Sequence, residues 1–424
     1  MTISIAAPVR ASDWPRVSLP VVYGAALVVW LVTRMLVLVH QGAWPWMNAF
    51  VVAAARGISV GDWNEAVRPQ LPAMLGVPLV LAGVGEQQTV ATLYVLASLV
   101  QFGAFVVLVR ALFPGRTVEQ LLGLLLFVLV PFNHSIHHYR DVPVVLASSG
   151  VFLLGAHWAT FAPWQVGNVR SVAWLLGAML LGVWSRTEVL TFVGGLIVLG
   201  LLVWRRRALA LSALYAATAA IGLGVFLLTN VVEGVDRTQI ARYQAHTFLD
   251  STPESWLTPE CRARPTENCR EADGLTYFGP VVPEAGVLPI VINHPLTTIA
   301  KTIRSGLDNL WILLGPNIST FPGVVPFAVV VAVALPGVRA ELGAVAPSGW
   351  MVAAAAFFET VLPPLSWAPP HPQYHLQLIV TIVVVLVPIL TAVLRVPRGQ
   401  LLTGGFFLVN GALSAFRYTR YPGY

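Results

Sequence analysis

The sequence predicts an all-α fold, a polytopic integral membrane protein with about eleven transmembrane helices and amphipathic helices in its outer loops. Of the 424 residues, 57% are hydrophobic and 10% are charged, whereas a soluble domain carries roughly 25% charged residues. Apolar runs of about 16 to 22 residues recur along the chain, near the length that crosses a hydrocarbon core of about 30 Å. Because the runs are continuous and do not alternate with polar residues, they predict helices and not barrel strands.

The apolar runs set the order of the spans. We predict spans at Ser18–Val39, Thr89–Phe113, Leu121–Pro131, Val142–Phe161, Val172–Trp184, Val189–Trp204, Ala208–Leu228, Phe321–Leu335, Val345–Leu362, Gln377–Leu394 and Leu401–Phe416, the last of which could instead lie at the surface. The first run lacks a small-residue cleavage site, so we expect it to be retained and not removed as a signal peptide. The spans divide the chain into an N-terminal transmembrane module (1–229) with a first outer loop at 40–88, an extracytoplasmic loop (230–304) and a C-terminal transmembrane module (305–424).

Positive charge clusters at alternate span ends, and Lys301 is the only lysine. The arginines concerned are Arg10, Arg16, Arg110, Arg116, Arg170, Arg205–Arg207, Arg339, Arg395 and Arg398. The positive-inside rule assigns these ends to the cytoplasm. We therefore predict a multi-pass protein of the plasma membrane with a cytoplasmic amino terminus. The formal net charge of +6 is then a topology signal, and a nucleic-acid partner is not expected.

The segment 230–304 is the one sizeable water-facing piece. It holds nine of the 19 acidic residues and both cysteines, Cys261 and Cys269. Two cysteines so close together on an oxidising face predict a disulfide, which would stabilise the loop by roughly 2–3 kcal/mol in the entropic model. Two free thiols are the alternative.

Polar residues gather at the predicted outer ends of the spans, opposite an inner face on which we expect arginines alone. Charges near lipid are costly and therefore mark candidate functional sites. In the first outer loop, Asp62 and Glu65 are three residues apart and Arg68 follows. The two carboxylates could share one helix face, as a general base or a metal pair would require. Solvated loop charges are the alternative.

The second outer turn, residues 133–143, is dense in polar side chains. His134 and His138 are four residues apart and could hold a metal ion or a phosphate, although histidines capping helix ends explain them equally well. Arg140 and Asp141 follow, and Asp141 also fits the N-cap of the next span because Pro143 comes two residues later.

Two further clusters complete the outer face. Arg186 and Glu188 begin the span at Val189, either as a structural ion pair or as a site where the arginine meets a lipid phosphate. Near the end of the chain, Glu359 precedes a proline-rich approach that carries His371 and Tyr374. Four polar clusters on one face predict one composite site at the outer membrane boundary.

Short motifs connect these clusters. They are Ala55-Arg56, Gly61-Asp62-Trp63, Arg68-Pro69-Gln70-Leu71, Leu108–Phe113, Arg140-Asp141, Gly177, Gly182, Arg186-Thr187-Glu188 and Gln373–Leu376, with Arg34, Tyr277–Pro280 and Asn293–Pro295 as lesser parallels. Together they resemble membrane glycosyltransferases of the GT-C superfamily, in the style of the protein mannosyltransferases and aminoarabinose transferases. The resemblance covers most of the chain.

The resemblance implies transfer of a mannose-like sugar or a pentose from a polyprenyl-phosphate donor to a glycan, lipid or protein acceptor outside the cytoplasm. A carboxylate would act as general base on the acceptor hydroxyl, and an arginine or a divalent metal ion would stabilise the phosphate leaving group. The first outer loop, 40–88, would then be catalytic. No other cofactor is implied.

The resemblance also suggests roles for the outer residues. We expect Asp62 and Asp141 as candidate bases with Glu65 beside them, Arg68, Arg140 and Arg186 on the donor phosphate, Glu188, His138, His371 and Tyr374 along the substrate, and His134 with His138 as candidate metal ligands. One departure matters, because the acid that the family carries in its first loop would fall near Met47-Asn48, where this chain has none. Either Asp62, Glu65 or Asp141 supplies the base, or catalysis has been lost.

Two other classes of function compete with this one. A transporter or flippase of lipids or small molecules would require charges inside the bundle or discontinuous helices at mid-depth, and neither is apparent in the sequence. A non-catalytic scaffold of GT-C-like fold would explain the missing acid near Asn48.

Overall fold

The computed structural model describes residues 19–41, 46–61, 71–129, 141–161, 168–232, 237–263, 267–314, 331, 335, 337–366 and 377–420. Every regular element of this part is a helix, which confirms the all-α prediction. In chain order the helices are α1 Leu19–Gln41, α2 Trp46–Ser59, α3 Leu71–Leu81, α4 Glu86–Leu112, α5 Thr117–Leu129, α6 Val142–Thr160, α7 Val169–Val183, α8 Val189–Trp204, α9 Leu209–Val232, α10 Arg237–Asp250, α11 Pro259–Ala263, α12 Glu267–Phe278, α13 Val287–Asn293, α14 Pro295–Leu314, α15 Gly337–Gly343, α16 Pro347–Ser366, α17 Leu378–Leu394 and α18 Gly399–Arg420.

Most predicted spans coincide with helices, but the predicted number of crossings is not supported. Among the described residues, three stretches are long and apolar enough to cross a membrane: Glu86–Leu112, Val142–Thr160 and Val189–Leu228. The pair α15 and α16, bent by 90° at the break between them, would add a fourth. In the described part of the chain the remaining apolar stretches, which in α1 and α18 are only part of the helix, hold 10–17 residues, fewer than the about 20 that a span requires. These lengths indicate a membrane protein but do not support about eleven spans; the predicted span Phe321–Leu335 lies mostly outside the described residues.

Helix α6 is the centre of the bundle, because nearly all of its side chains are buried between its neighbours. Its Gly150 lies against Gly182 of α7 so closely that a Cβ on Gly150 would be 2.4 Å from the Gly182 Cα. A Cβ on Gly195 of α8 would similarly lie 3.3 Å from the Cα of Ala355 in α16. Small residues let helix backbones approach in this way, which is how helices associate when both are surrounded by lipid.

Contacts between helices define two ends of the bundle. Gln101 of α4 donates to Ser148 of α6. Seven residues further along each helix, Leu108 of α4 lies beside Gly155 of α6. Because both contacts advance in the same direction, α4 and α6 run parallel. The end at which α4 and α6 finish is called the basic end, and it carries Arg110, Arg116, Arg170, Arg205–Arg207, Arg395 and Arg398. The opposite end is called the carboxylate end, and it holds Asp141, Arg186, Glu188 and Glu359.

The basic end also contains acidic residues, which corrects the expectation of arginines alone. Arg116 Nη2 lies 2.8 Å from Glu119 Oε1 and 2.7 Å from Glu341 Oε2. Arg395 pairs with the other oxygen of Glu341. Glu119 and Glu341 are nearly buried, so these ion pairs connect α5, α15 and the end of α17.

Residues 237–293 form a small helical module with a core of its own. Its buried side chains are Ala245, Phe248, Leu249, Phe278, Val287 and Ile290. Cys261 and Cys269, the two cysteines of the chain, are joined by a disulfide, and the Trp256 ring stacks on Tyr277 with 4.1 Å between centroids. Helix α14 follows directly and continues past residue 304, so the predicted boundary between 304 and 305 falls inside a helix.

Candidate functional site

Three of the predicted site residues lie in the described part of the chain: Asp141, Arg186 and Glu188. The others fall outside it, namely Asp62, Glu65, Arg68, His134, His138, Arg140, His371 and Tyr374. The predicted metal ligands are among the latter, and the described residues contain no group of three potential metal ligands. The site is therefore built below from the side chains whose positions are known.

Asp141 occupies the N-cap position of α6, as its place before Pro143 predicted. Its backbone oxygen accepts from Val144 N at 3.0 Å and Val145 N at 3.1 Å, but its side chain makes no capping hydrogen bond. The residue is fully buried. Burying a carboxylate is costly, and an ionisable residue at the depth of a membrane-spanning helix marks a functional site by default. Asp141 is therefore a candidate for chemistry at the carboxylate end.

Arg186 and Glu188 form an ion pair in the short turn between α7 and α8. Arg186 Nη2 lies 2.7 Å from Glu188 Oε1, and its Nε donates to Oε2 at 3.4 Å. The turn is held because Ser185 N and Arg186 N both donate to Gly182 O. The structural ion pair considered from the sequence is thus present, and it places a guanidinium beside the start of α8.

Glu359 joins this pair from α16. Since Gly195 faces Ala355 and α8 runs antiparallel to α16, the turn that precedes α8 lies level with Glu359. The charges of Glu188 and Arg186 both act on the Glu359 carboxylate. Glu359 is 3% exposed, and neither of its carboxylate oxygens makes a hydrogen bond within the described residues.

Neighbouring polar groups at this end are also buried without a partner in the described part of the chain. They are Trp184 Nε1 and Ser185 Oγ, immediately before Arg186. Buried polar atoms are normally hydrogen-bonded, so each exception calls for an explanation such as a bound ligand or water. Trp184 Nε1 is a donor, Ser185 Oγ can donate or accept, and the Glu359 oxygens are acceptors when ionised.

Asp141 shares this end with the Arg186 turn. Gly150 packs on Gly182, and α6 and α7 run antiparallel, since His157 Nε2 lies 2.8 Å from Ser171 Oγ near their other ends. The residue that precedes α6 and the residues that follow α7 therefore lie at the same end of the bundle. Among the described residues this end therefore holds the group of Arg186, Glu188 and Glu359 and, at the start of α6, the buried side chain of Asp141, and each of these carboxylates is a candidate general base.

Glu359 is the residue whose importance the sequence analysis missed, because it was grouped with the proline-rich approach and given no role. A signal for it exists in the sequence. It is the only charged residue of α16, a helix that is otherwise apolar. A lone charge in an apolar helix is expensive, and it is retained where it serves a purpose.

A second polar group, called the Arg34 ladder, lies inside the bundle and comprises Arg34, Tyr94, Gln101 and Ser148. Arg34 is 1% exposed; its Nη1 donates to Tyr94 Oη at 3.2 Å and its Nη2 to Gln101 Oε1 at 3.3 Å. Gln101 Nε2 donates in turn to Ser148 Oγ at 2.7 Å. This arrangement corrects the inference that the bundle interior holds no charge.

The ladder extends towards the carboxylate end. Tyr94 packs in the same cluster of buried side chains as Val142, the residue that follows Asp141. The guanidinium of Arg34 also lies over the Trp30 ring, 3.9 Å from its centroid. Polar groups therefore continue from the level of Asp141 into the interior of the bundle.

Comparison of this chain with protein-family models, with curated proteins and with solved structures finds no match.

Proposed function

We propose that this chain is a membrane glycosyltransferase that moves a mannose-like sugar or a pentose from a polyprenyl-phosphate donor to an acceptor on the extracytoplasmic face. The observation that carries the proposal is the grouping of Glu188 and Glu359 with Arg186 at the end of the bundle where the buried Asp141 begins α6. The GT-C resemblance of the motifs supplies the reaction class.

The proposed reaction needs one base and one group that stabilises negative charge. The acceptor oxygen bonds to the anomeric carbon, the bond from that carbon to the phosphate oxygen breaks, and its electron pair leaves with the lipid phosphate. The acceptor proton passes to a carboxylate, for which Asp141 and Asp62 are the candidates with Glu65 beside them. Arg186, with Arg68 and Arg140, stabilises the phosphate. The negative charge of Glu359 acts on the Arg186 guanidinium, and His138, His371 and Tyr374 line the substrate.

The proposed orientation in the membrane follows from charge. Arginines gather at the basic end, which by the positive-inside rule faces the cytoplasm. The carboxylate end then lies on the outer face of the plasma membrane, where a lipid-linked donor is usable and nucleotide sugars are absent. The predicted number of about eleven spans belongs to this proposal. Labelling of introduced cysteines at either end by an impermeant reagent in intact cells tests the orientation.

The test of the activity is transfer of radiolabelled sugar from polyprenyl-phosphate donors in membranes that contain the protein. We expect Asp141→Asn or Asp62→Asn to lower transfer by about 100-fold or more, the size of a lost general base. Glu359→Gln should lower it by about tenfold, since it loosens the arginine and leaves the base in place. Glu119→Gln is the matched control, because it removes a buried acid at the basic end, and it should leave transfer unchanged. Equal transfer by all four variants would refute the assignment of the site.

A transporter or flippase of lipids or small molecules is the second candidate, and two observations favour it. The Arg34 ladder places a charge inside the bundle, and α15 and α16 form a helix pair bent by 90°. Both features are typical of transporters. Movement of a fluorescent polyprenyl phosphate across proteoliposomes that is lost in Arg34→Met but kept in Asp141→Asn would favour this function. If the folded, lipid-binding protein shows no sugar transfer and no lipid transport, the result would favour the scaffold that has lost catalysis.

A further inference from the structure

Helices α13 and α14 present a continuous row of exposed apolar side chains, called the apolar stripe. Its members are Leu288, Ile292, Leu296, Ile299, Ile303 and Leu307, each between 55% and 80% exposed. They follow one another at intervals of three or four residues, which places them on one side of a helix. Within α14, the stripe from Leu296 to Leu307 is about 18 Å long at 1.5 Å per residue.

The opposite side of α14 is polar and buried. Lys301 is fully buried and Ser305 is 7% exposed. Lys301 Nζ donates to Ser251 Oγ at 2.6 Å and lies 4.2 Å from the centroid of the Phe248 ring, which fixes α14 on the end of α10. The helix is therefore inverted relative to a helix of a water-soluble domain, whose apolar side faces the core.

This inversion is inconsistent with water as the medium around the stripe. Six large aliphatic side chains form one contiguous apolar surface, whereas surface hydrophobics of soluble proteins are scattered singly. The buried lysine and serine are used to hold the helix in this orientation, so the apolar side is presented outward by specific contacts.

The stripe continues the apolar outer surface of the bundle. Helix α14 packs against α16, whose Phe358 is 42% exposed beside the buried Glu359. At the end of α9, from which the chain enters the module, Leu227 and Leu228 are likewise exposed. The exposed surface of a bundle with membrane-spanning helices meets lipid, and α14, which carries most of the stripe, packs against a helix of that bundle.

We propose that the apolar stripe of α13 and α14 docks into the interfacial layer of a phospholipid bilayer, so that α14 lies along the membrane and holds the module against its surface. An amphipathic helix of this kind buries its apolar side about 5–10 Å into the boundary between headgroups and acyl chains. Arg304, exposed between the stripe and the buried side of α14, lies at the level of the lipid phosphates. The inference does not depend on the enzymatic proposal, because it concerns lipid contact alone.

Fluorescence quenching by lipid tests the docking in the full chain. Both native cysteines are used in the disulfide, so a single cysteine introduced at Ile299 or Ile303 can be labelled with an environment-sensitive dye. Thr276→Cys on α12 is the matched control, because Thr276 is exposed and lies on a helix that packs against α10. The labelled variants are reconstituted in phosphatidylcholine vesicles with and without bromine on the upper acyl chain.

We expect the dye at Ile299 or Ile303 to lose about half of its emission in brominated vesicles, the response of a group that enters the acyl boundary, and the dye at Thr276 to lose almost none. Equal and weak quenching at all three positions would overturn the proposal. The proposal would also be overturned if lipid quenching were absent and a short bifunctional reagent cross-linked Ile299→Cys between two chains, because a second copy would then cover the stripe. Each labelled variant should elute at the wild-type volume from a gel-filtration column in detergent. This control excludes misfolding as the cause of a difference in quenching.

Discussion

Gly150→Ala is the substitution with the clearest structural consequence, because it inserts one methyl group between α6 and α7. The new Cβ would lie 2.4 Å from Gly182 Cα, 2.6 Å from Gly182 N and 3.0 Å from Ala178 O. All three atoms belong to backbone, so the two helices must separate by about 1 Å or more to restore van der Waals contact. Overpacking of a core costs about 1–3 kcal/mol, and the gain in helix propensity from glycine to alanine returns about 1 kcal/mol. The difference is a net loss of up to about 2 kcal/mol in the free energy of unfolding.

The assay is thermal unfolding of the purified protein in detergent, followed by tryptophan fluorescence. A loss of this size should lower the midpoint by several degrees. The same separation should move the start of α6 relative to the turn that carries Arg186, and it should lower the proposed transfer activity at temperatures where the variant remains folded. Gly177→Ala on α7 is the control, since a Cβ there would meet nothing within 4 Å, and it should keep or slightly raise the midpoint. If both variants melt together at or above the wild-type temperature, the close contact between α6 and α7 is refuted.

Three further predictions concern charge. Burial lowers the pKa of Lys301 to about 7, against 10.5 for an ordinary lysine, with Asp250 acting in the opposite direction. Because the unfolded chain then binds the proton more tightly, the free energy of unfolding should rise from pH 7 to 10. Lys301→Met should flatten that rise in thermal midpoints measured across this pH range. Arg34→Met leaves Tyr94 and Gln101 without their buried donor and should lower the free energy of unfolding by about 2–4 kcal/mol in the same melting assay. The same substitution at Arg170, which is exposed, should cost almost nothing. Glu341→Gln weakens two ion pairs of the basic end and should lower the midpoint, an effect that vanishes if those pairs are absent in solution.

Secondary structure was largely predictable from the sequence because it depends on local patterns. The apolar runs at 142–161 and 189–204 appear as α6 and α8 with ends shifted by a residue or less. The grouping of arginines at one end was also predictable, since alternate spans must return the chain to the same side. The number of crossings was not supported, because a run of apolar residues does not reveal how much of it forms one straight helix. The bend between α15 and α16 and the 15-residue α7 are examples.

The candidate site was only partly predictable. Asp141, Arg186 and Glu188 attracted attention because polar residues between apolar spans are visible in the sequence. The proximity of Arg186 and Glu188 to Glu359, which is 171 residues beyond Glu188, was not predictable, because it depends on α8 and α16 meeting at Gly195 and Ala355. The same holds for the Arg34 ladder, in which partners on α1, α4 and α6 are distant in the sequence.

Composition and the spacing of charges by themselves determined that this protein is helical, that its helices are apolar and that a group of its arginines lies at one end of the bundle, since each property follows from residues close together in the chain. Only the tertiary structure decided that Glu359 joins the Arg186 turn, that Arg34 is buried among polar partners and that α14 turns its apolar side outward. The reason is physical: burial and electrostatic environment are set by which helices pack together, and at Gly150 and Gly195 that packing depends on contacts between backbones far apart in the sequence.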